Sequence, residues 1–493
     1  MRSKNICKGL TLADCELAIL RMAVDKAEEK IGKRIIQSDE IKQIIQIVEE
    51  FIKKKKLICY GGTAINNILP ENDQFYNKEI DLPDYDFFSF NALLDAKALA
   101  DIYFKAGFTD VSAKSGQHHG TYKVYVNFMP IADITQLDKP IFKSLKNDEL
   151  VVDGMSYAPV NFLRMAMYLE LSRPDGDIGR WEKVLKRLAL LNKNYPVTSI
   201  DCGKIDFQRE MENKEDEDEI CESVRNTFIS QGVVFFGGFA ISLYSQYMPK
   251  TQQRKLEKIA DFDVLSQDPF KTANIVKERL KDINVTDVKI VKREPIGEII
   301  PEHYEIIIGK DTIGFVYKPN ACHSYNIYEF GKQSVKIATV DTMLSFYLAF
   351  LYADRPYYNQ FLDRTQCMAK FLFDVQQKNR LEQKGLLQRF SINCYGHQET
   401  VEEMRAEKAR KYRELKKTKN RAEFEEWFLN YEPEDHARKN IKSTNKTGKE
   451  KKTGKEKSSK KTKTKTSKKS ATRKRFINPY DRKSKTIKNW IQK

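Results

Sequence analysis

The sequence predicts an α/β (α+β) protein built from two tandem, equivalent modules, each a small mixed sheet with flanking helices, followed by a disordered basic tail. Three observations carry this reading. Short apolar stretches of strand length alternate with longer stretches of helical spacing. Four segments recur in the same order roughly 180 residues later. The net positive charge is confined to the end of the chain.

Residues 12–32 read as a helix. Residues 39–56 read as a stronger one, with Ser38 placed to cap it and Ile41, Ile44, Ile45, Val48, Phe51 and Ile52 in helical spacing. A strand at 57–60 runs into Gly61-Gly62. A short helix at 63–69, a polar loop and a strand at 84–89 follow. A helix at 91–106, strands at 122–128 and 131–135, and helices at 158–171 and 178–192 complete the first unit. The order then repeats: strand 233–236 enters Gly237-Gly238, then come helix 239–246, strand 261–265, helix 269–282, strands 304–308 and 312–317, and helices 339–352 and 358–378. YGGTAI pairs with FGGFAI at an offset of 176, DYDFFS with DFDVLS at 177, and TYKVYVNFMPIADIT with HYEIIIGKDTIGFVY at 182. SRP at 172–174 has its counterpart in DRP at 354–356. A charged helix over 398–430 and the tail follow. The boundaries expected are N-terminal helices at 1–56, a first module at 57–200, a second at 201–395, a charged helix at 396–437 and a tail at 438–493.

The chain has 493 residues and a net charge of +17. From Arg438 to Lys493 there are 23 Lys/Arg and 3 Asp/Glu; the remaining residues carry 63 and 66, so the body is near neutral and the basicity belongs to the tail. Residues 440–472 hold a single large apolar side chain, Ile441, too little to offset the entropy of ordering. Such a segment suits polyanions, most simply nucleic-acid phosphates; a solubilising tail or a nuclear-import signal around Arg473–Arg475 is the alternative. Phe476, Tyr480 and Trp490 restore docking potential at the end. With 31% charged residues, a mean hydropathy of −0.59 and no apolar run near ~20 residues, no membrane span is expected. No secretory signal is expected at the start either. The eight cysteines form no CxxC pair. That argues against a zinc ribbon or a disulfide framework and for unpaired thiols in a reducing compartment. No HExxH or GxxxxGK[ST] occurs among the 493 residues, which disfavours zinc hydrolases and P-loop ATPases.

The chemistry concentrates in the first unit. Gly61-Gly62 ends a strand and opens a helix, whose free N–H groups suit a phosphate, and Thr63 offers a hydroxyl to the same group. Asp84 and Asp86, two apart on a strand, point to one face. Asp133, on a later strand, is placed to join them. Three carboxylates on neighbouring strands make a hard oxygen site for Mg²⁺ or Mn²⁺. Two such ions lower the pKa of an attacking hydroxyl and stabilise a leaving pyrophosphate. Asp133, between apolar neighbours, is costly without a cation to meet. In the second unit Phe239 replaces Thr63 and Phe315 replaces Asp133, leaving Asp261 and Asp263. A phenyl ring neither ligates a metal nor donates to phosphate, so this copy reads as degenerate.

GGT…DYD…D resembles the nucleotidyltransferase pattern of DNA polymerase β-like enzymes. YGGTAINNILP, DLPDYDFFS, IADIT and the LSRP…GRWEKVLKRL stretch are similar to the poly(A) polymerase catalytic subunit of poxviruses and giant DNA viruses. The resemblance is strongest over residues 57–192, thins through the second unit and does not cover the tail. It implies that Gly61, Gly62 and Thr63 hold the triphosphate of ATP and that Asp84, Asp86 and Asp133 bind two Mg²⁺ or Mn²⁺ ions. It implies that Arg173, Arg180 and Lys183 position nucleotide or RNA; a solvated basic helix face is the alternative for those three. The implied reaction is template-independent transfer of AMP from ATP to the 3′ hydroxyl of mRNA, with release of pyrophosphate, in the infected cytoplasm or the virion. The implied partner is an RNA 3′ end. A homodimer and a methyltransferase-like processivity subunit stay open. So do a nucleotidyltransferase with another nucleotide or acceptor, and a catalytically dead RNA-binding scaffold.

Overall fold

The structure is a computed structural model that describes residues 7–197, 201–205, 207, 211, 216–256, 262–379, 381–418 and 420–434. Asp261 and the tail at 438–493 lie outside the described residues.

The first half folds into strands β1 (Ile58–Tyr60), β2 (Tyr85–Ser89), β3 (Val111–Ser115), β4 (Thr121–Val126), β5 (Met129–Gln136), β6 (Leu150–Val152) and β7 (Met155–Tyr157). The second supplies β8 (Val234–Phe235), β9 (Phe262–Leu265), β10 (Val288–Arg293), β11 (His303–Ile308), β12 (Asp311–Tyr317), β13 (His323–Phe330), β14 (Gln333–Ala338) and β15 (Cys394–Tyr395). A last strand, β16 (Asn430–Tyr431), returns to the first sheet. Helices α1 (Leu12–Ile36), α2 (Asp39–Lys55), α3 (Gly61–Ile68), α4 (Ala92–Lys105), α5 (Lys139–Asn147), α6 (Val160–Leu171) and α7 (Trp181–Asn194) accompany the first sheet. With the second come α8 (Glu217–Ser230), α9 (Gly238–Tyr244), α10 (Lys250–Gln253), α11 (Pro269–Asp282), α12 (Val340–Phe350), α13 (Pro356–Asn359) and α14 (Leu362–Lys378). Two more, α15 (Val401–Thr418) and α16 (Arg421–Phe428), precede β16.

The duplication read from four short matches extends to the hydrogen-bonding plan. The first sheet runs β3-β4-β5-β2-β1-β7-β6 and the second β10-β11-β12-β9-β8-β14-β13. At both corresponding positions, β2–β5 with β9–β12 and β1–β7 with β8–β14, the pairing is parallel; elsewhere it is antiparallel. Each sheet gains one outer strand, β16 against β3 and β15 against β13.

Local sequence explains the elements that position the site. Ser38 accepts from the Ile41 N–H and caps α2, acids open that helix and lysines close it, and Lys56 ends it in the left-handed region at φ 54°. The apolar stripe of α2 is buried at Ile41, Ile44, Val48, Phe51 and Ile52. Helices α6 and α12, at equivalent places in the repeat, pack against one another, and every residue of α12 is buried. The two sheets therefore share one continuous hydrophobic core.

Three expectations need correction. The charged helix over 398–430 is two helices, with Asn420 capping the second, and its end docks as β16 on the edge of β3. Strands β3, β6, β7, β10, β13, β14 and β15 escaped the sequence reading because their alternation is short or broken by polar residues, and helices α5 and α8 escaped it too. The cysteines are not all unpaired: Cys7–Cys15, Cys202–Cys367 and Cys322–Cys394 are disulfide-bonded, with Cα separations of 4.9, 5.7 and 5.1 Å, and Cys59 and Cys221 are free. Spacing along the chain did not show this, since Cys202 and Cys367 are 165 residues apart and the fold alone brings them together. No helix among the described residues is long and apolar enough to cross a membrane.

Candidate active site

The site is built on one face of the first sheet. Side chains alternate along a strand, so Asp84, Asp86 and Phe88 share a face, while Tyr85 and Phe87 enter the core. Asp84 stands one residue before β2 rather than within it. The parallel register sets Asp86 directly beside Asp133 on β5, and Lys123 of β4 opposite Asp133 on its other side. Tyr60 of β1 lies opposite Asp86, stacks on Phe88 at 3.9 Å and shares a 2.8 Å hydrogen bond with Thr135.

A bulge decides which face Asp133 occupies. Around the Asn127-Phe128 turn, Val126 pairs with Met129 and Tyr125 with Pro130, but Val124 then pairs with Ala132, skipping Ile131. Continued without that extra residue, the ladder would set Asp133 opposite Tyr122, a core residue. With it, Asp133 faces Lys123 and joins the other aspartates. The second sheet has its bulge at the equivalent place, between Ile306 and Ile307.

The Gly-Gly turn abuts the carboxylates. Gly61 has φ 75°, and a Cβ there would fall 2.4 Å from Oδ2 of Asp86. Helix α3 begins at Gly61 with no side-chain cap, so its first N–H groups face outward beside the aspartates. Thr63 is buried and its hydroxyl donates to the Asp84 carbonyl at 2.7 Å. That hydroxyl therefore braces the approach to β2, which is a different use from the phosphate contact expected of it.

Charge is concentrated here. Burial, then the charges of Asp84 and Asp133, push the Asp86 carboxyl up to about 7. Burial and Asp133 raise Asp84 as well. Lys123 is ion-paired with Oδ2 of Asp133; burial lowers its pKa, but the bond and charge of Asp133 outweigh that and hold it raised. The other oxygen of Asp133, Oδ1, is buried without a hydrogen-bond partner. An orphaned carboxylate oxygen, an ammonium already drawn to its twin and an all-oxygen donor set fit a hard divalent cation. Among the described residues, the three side chains whose donor atoms all approach within 4.8 Å are Asp175, Cys322 and Cys394, and those two sulfurs are bonded to each other. The aspartates stand wider, as like charges do with a lysine pulling on one of them.

The basic residues divide. Arg180 and Lys183 lie at the start of α7 and are felt electrostatically by Asp86 and Asp84 respectively. Burial, then Arg187 and Arg180, lower the Lys183 pKa. Arg180 also lies 3.3 Å from Glu170. Arg173 shares Glu170 with Arg180 and also faces Glu298 of the second module, and burial lowers its pKa. A residue the sequence reading missed stands closer to the glycines. Arg187, one turn after Lys183, donates to the Tyr76 hydroxyl at 2.5 Å and lies over the Phe75 ring at 4.9 Å. A Cβ on Gly62 would fall 2.9 Å from its guanidinium. The i, i+4 spacing of Lys183 and Arg187 was the available signal, and Lys123 had none until the strand register was known.

In the second sheet the equivalent face is filled. Asp263 keeps its place against Gly237, whose Cβ would fall 2.2 Å from Oδ2. Phe315 stands opposite Asp263 where Asp133 stands opposite Asp86. Glu305 takes the place of Lys123 and binds Arg293 at 2.9 Å. His303 and Tyr317 replace Thr121 and Thr135, stack at 4.6 Å and are fully buried. Phe239, where Thr63 would be, packs on Phe235 and Phe330.

A duplicated mixed sheet, with a Gly-Gly turn facing three aspartates on one copy only, defines a tandem α/β protein with a single acidic site. Comparison with known proteins carries this further: residues 46–177 match the family model described as the poly(A) polymerase catalytic subunit. The chain is similar to a protein of Acanthamoeba polyphaga mimivirus, named as a candidate poly(A) polymerase catalytic subunit, at 30% identity over 187 residues. That alignment covers 37% of this chain and 31% of the mimivirus protein. It is 32% identical over 180 residues to a protein of African swine fever virus (isolate Tick/Malawi/Lil 20-1/1983) with the same designation, covering 35% of this chain and 38% of the viral one. The matched segments thus span about a third of those relatives. The crystal structure of the Megavirus polyadenylate synthase shares the fold, with a TM-score of 0.73 at 18% identity, covering 90% of this chain and 91% of that one.

Proposed function

We propose that the protein is a poly(A) polymerase catalytic subunit that transfers AMP from ATP to an RNA 3′ hydroxyl without a template. The observation that carries this reading is the register of Asp86 with Asp133, with Asp84 on the same face, in front of the Gly61-Gly62 helix start.

The 3′ hydroxyl gives up its proton to solvent as its oxygen attacks the α-phosphorus of ATP, the bond from that phosphorus to the bridging oxygen of the β-phosphate breaks, and pyrophosphate leaves with that bond's electron pair. Asp84, Asp86 and Asp133 would hold two divalent ions, Mg²⁺ or Mn²⁺. When bound, these supply charge that acidifies the 3′ hydroxyl and stabilises the leaving pyrophosphate. The free N–H groups at the start of α3 bind the triphosphate. Glycine at 61 and 62 leaves room for that approach, since a side chain at either would meet Asp86 or Arg187. Lys183 and Arg187 on α7 offset the triphosphate charge, and Arg180 is close enough to act on the same field. The second module serves as a wall, its former site packed with rings. The basic tail adds phosphate contacts to RNA in the infected cytoplasm or the virion.

The test is primer extension. An unstructured RNA is incubated with the protein, Mg²⁺ or Mn²⁺ and each nucleotide separately, with Asp84→Ala as control. A long ladder with ATP alone, absent in the variant, is the expected result. Extension with another nucleotide would keep the site and change the substrate. Tight RNA binding with no extension would point to a dead scaffold or a missing partner subunit.

A further inference from the structure

Among the described residues, Lys123 is the one basic side chain in direct ion-pair contact with any of the three aspartates, and its partner is Asp133. It sits on β4 opposite Asp133, half-buried, with its ammonium on Oδ2 of Asp133, and its charge also acts on Asp84 and Asp86. The two halves of the chain supply an internal comparison. The second module keeps the glycine and the aspartate that touch, Gly237 and Asp263. It lacks both members of the Lys–Asp pair: Phe315 replaces Asp133 and Glu305 replaces Lys123. Glu305 is not a remnant of a cation site either, because it is tied to Arg293 and to the Thr312 hydroxyl at 2.6 Å. A lysine needed only to finish a β-hairpin would have no reason to vanish together with the aspartate. The bulge of that hairpin is present in both modules.

From this we infer that Lys123 is a built-in competitor for the divalent cation: its ammonium is paired with Asp133 and must be displaced before Asp133 ligates an ion. This rests on the reading of Asp84, Asp86 and Asp133 as a cation site and goes beyond it by assigning Lys123 a role. For Asp133 to hold a divalent ion the Lys123 pair would have to open, and the ammonium would remain as an extra positive charge nearby; both effects would weaken binding. The same ammonium offsets part of the charge of the three carboxylates. Lys123 is a positioning residue in this scheme, acting through Asp133.

The test is Mn²⁺ titration of the full chain, followed by electron paramagnetic resonance or calorimetry at fixed pH and salt, without nucleotide or RNA. Lys123→Gln should bind Mn²⁺ more tightly by about threefold to tenfold, in line with loss of one half-buried ion pair. Lys123→Arg, which keeps the charge, should stay within about twofold of the parent. A second measurement needs no variant: the rate of acetylation at Lys123, read by mass spectrometry, should rise when Mg²⁺ is added. Equal or weaker Mn²⁺ binding in Lys123→Gln, with binding still abolished by Asp133→Asn, would overturn the competitor role and leave the cation site standing. No Mn²⁺ binding by the parent, or undiminished binding by Asp133→Asn, would overturn the cation site and this inference together.

Discussion

Gly61 and Asp86 are in steric contact: a Cβ at residue 61 would lie 2.4 Å from Oδ2, 3.1 Å from Cγ and 3.3 Å from Cβ of Asp86. The turn and the carboxylate were fitted to each other, so the first N–H groups of α3 and the acidic cluster border the same space. Gly61 also has φ 75°, a region costing most residues about 1–2 kcal/mol. Gly61→Ala is expected to lower stability by roughly that amount and to push Asp86 out of line. Nucleotide transfer should fall by about 100-fold or more while the far-ultraviolet circular dichroism stays native. Near-wild-type transfer would show that the contact has no bearing on the chemistry.

Asp86 carries a stability prediction with a definite sign. Its pKa is raised from the ordinary range to about 7 by burial and by Asp84 and Asp133. The folded state therefore holds this proton more tightly than the unfolded one. Ionisation costs stability progressively as pH rises from about 4 to 7, and the whole cost is present above 7. Asp86→Asn should raise the melting temperature of the metal-free protein at pH 8 by a few degrees, with little change near pH 4. It should also abolish transfer. A lower melting temperature at pH 8 would contradict the burial and repulsion argument.

The degenerate-copy reading is tested at Asp263. Its equivalent of the Asp133 position is Phe315, and the face around it is closed by His303 and Tyr317. Asp263→Ala should leave kcat and KM for ATP within about twofold, against a loss of several orders of magnitude for Asp84→Ala. Strong loss at Asp263 would mean that the second module takes part in the chemistry. The companion Asp261 lies outside the described residues, and Asp261→Ala is expected to be equally silent.

Arg187 should act on nucleotide binding. It lies beside Gly62, held by Tyr76 and Phe75. Arg187→Met should raise KM for ATP by about tenfold, or about 1.4 kcal/mol, with Arg187→Lys intermediate because a lysine lacks the planar fork that rests on the ring. An unchanged KM would return Arg187 to a packing role.

Deletion of residues 438–493 removes 23 Lys/Arg. RNA affinity should fall, and the slope of log affinity against log salt should flatten by about 0.7 for each RNA phosphate that the tail no longer neutralises. A slope unchanged by the deletion would show that the tail does not bind phosphate.

Much of this was legible in the residues. The repeat could be read because duplicated strands keep their apolar alternation and their glycines long after individual residues diverge, as FGGFAI against YGGTAI shows. Asp84 and Asp86 could be placed on one face because the period of an extended chain is fixed by backbone geometry. The loss of Thr63 and Asp133 from the second copy needed only the alignment of the chain with itself. Linear reading had its limit at Glu170: only the fold shows that Arg173, Arg180 and Arg187 all act on this one carboxylate, and that Arg173 also faces Glu298 of the second module.

The two-module α/β plan, the acidic residue types and the Gly-Gly turn were thus settled by residue order alone, because periodicity and composition are properties of neighbours along the chain. It took the folded arrangement to show that a one-residue bulge turns Asp133 toward Asp86, that Lys123 meets it from the other side and that Arg187 stands over Gly62. The same holds for which cysteines meet and for the charged C-terminal helices ending as a strand on the first sheet. One cause underlies each case: strand register and helix packing are settled by contacts between residues far apart in sequence, and a slip of one residue reverses every side chain on a strand.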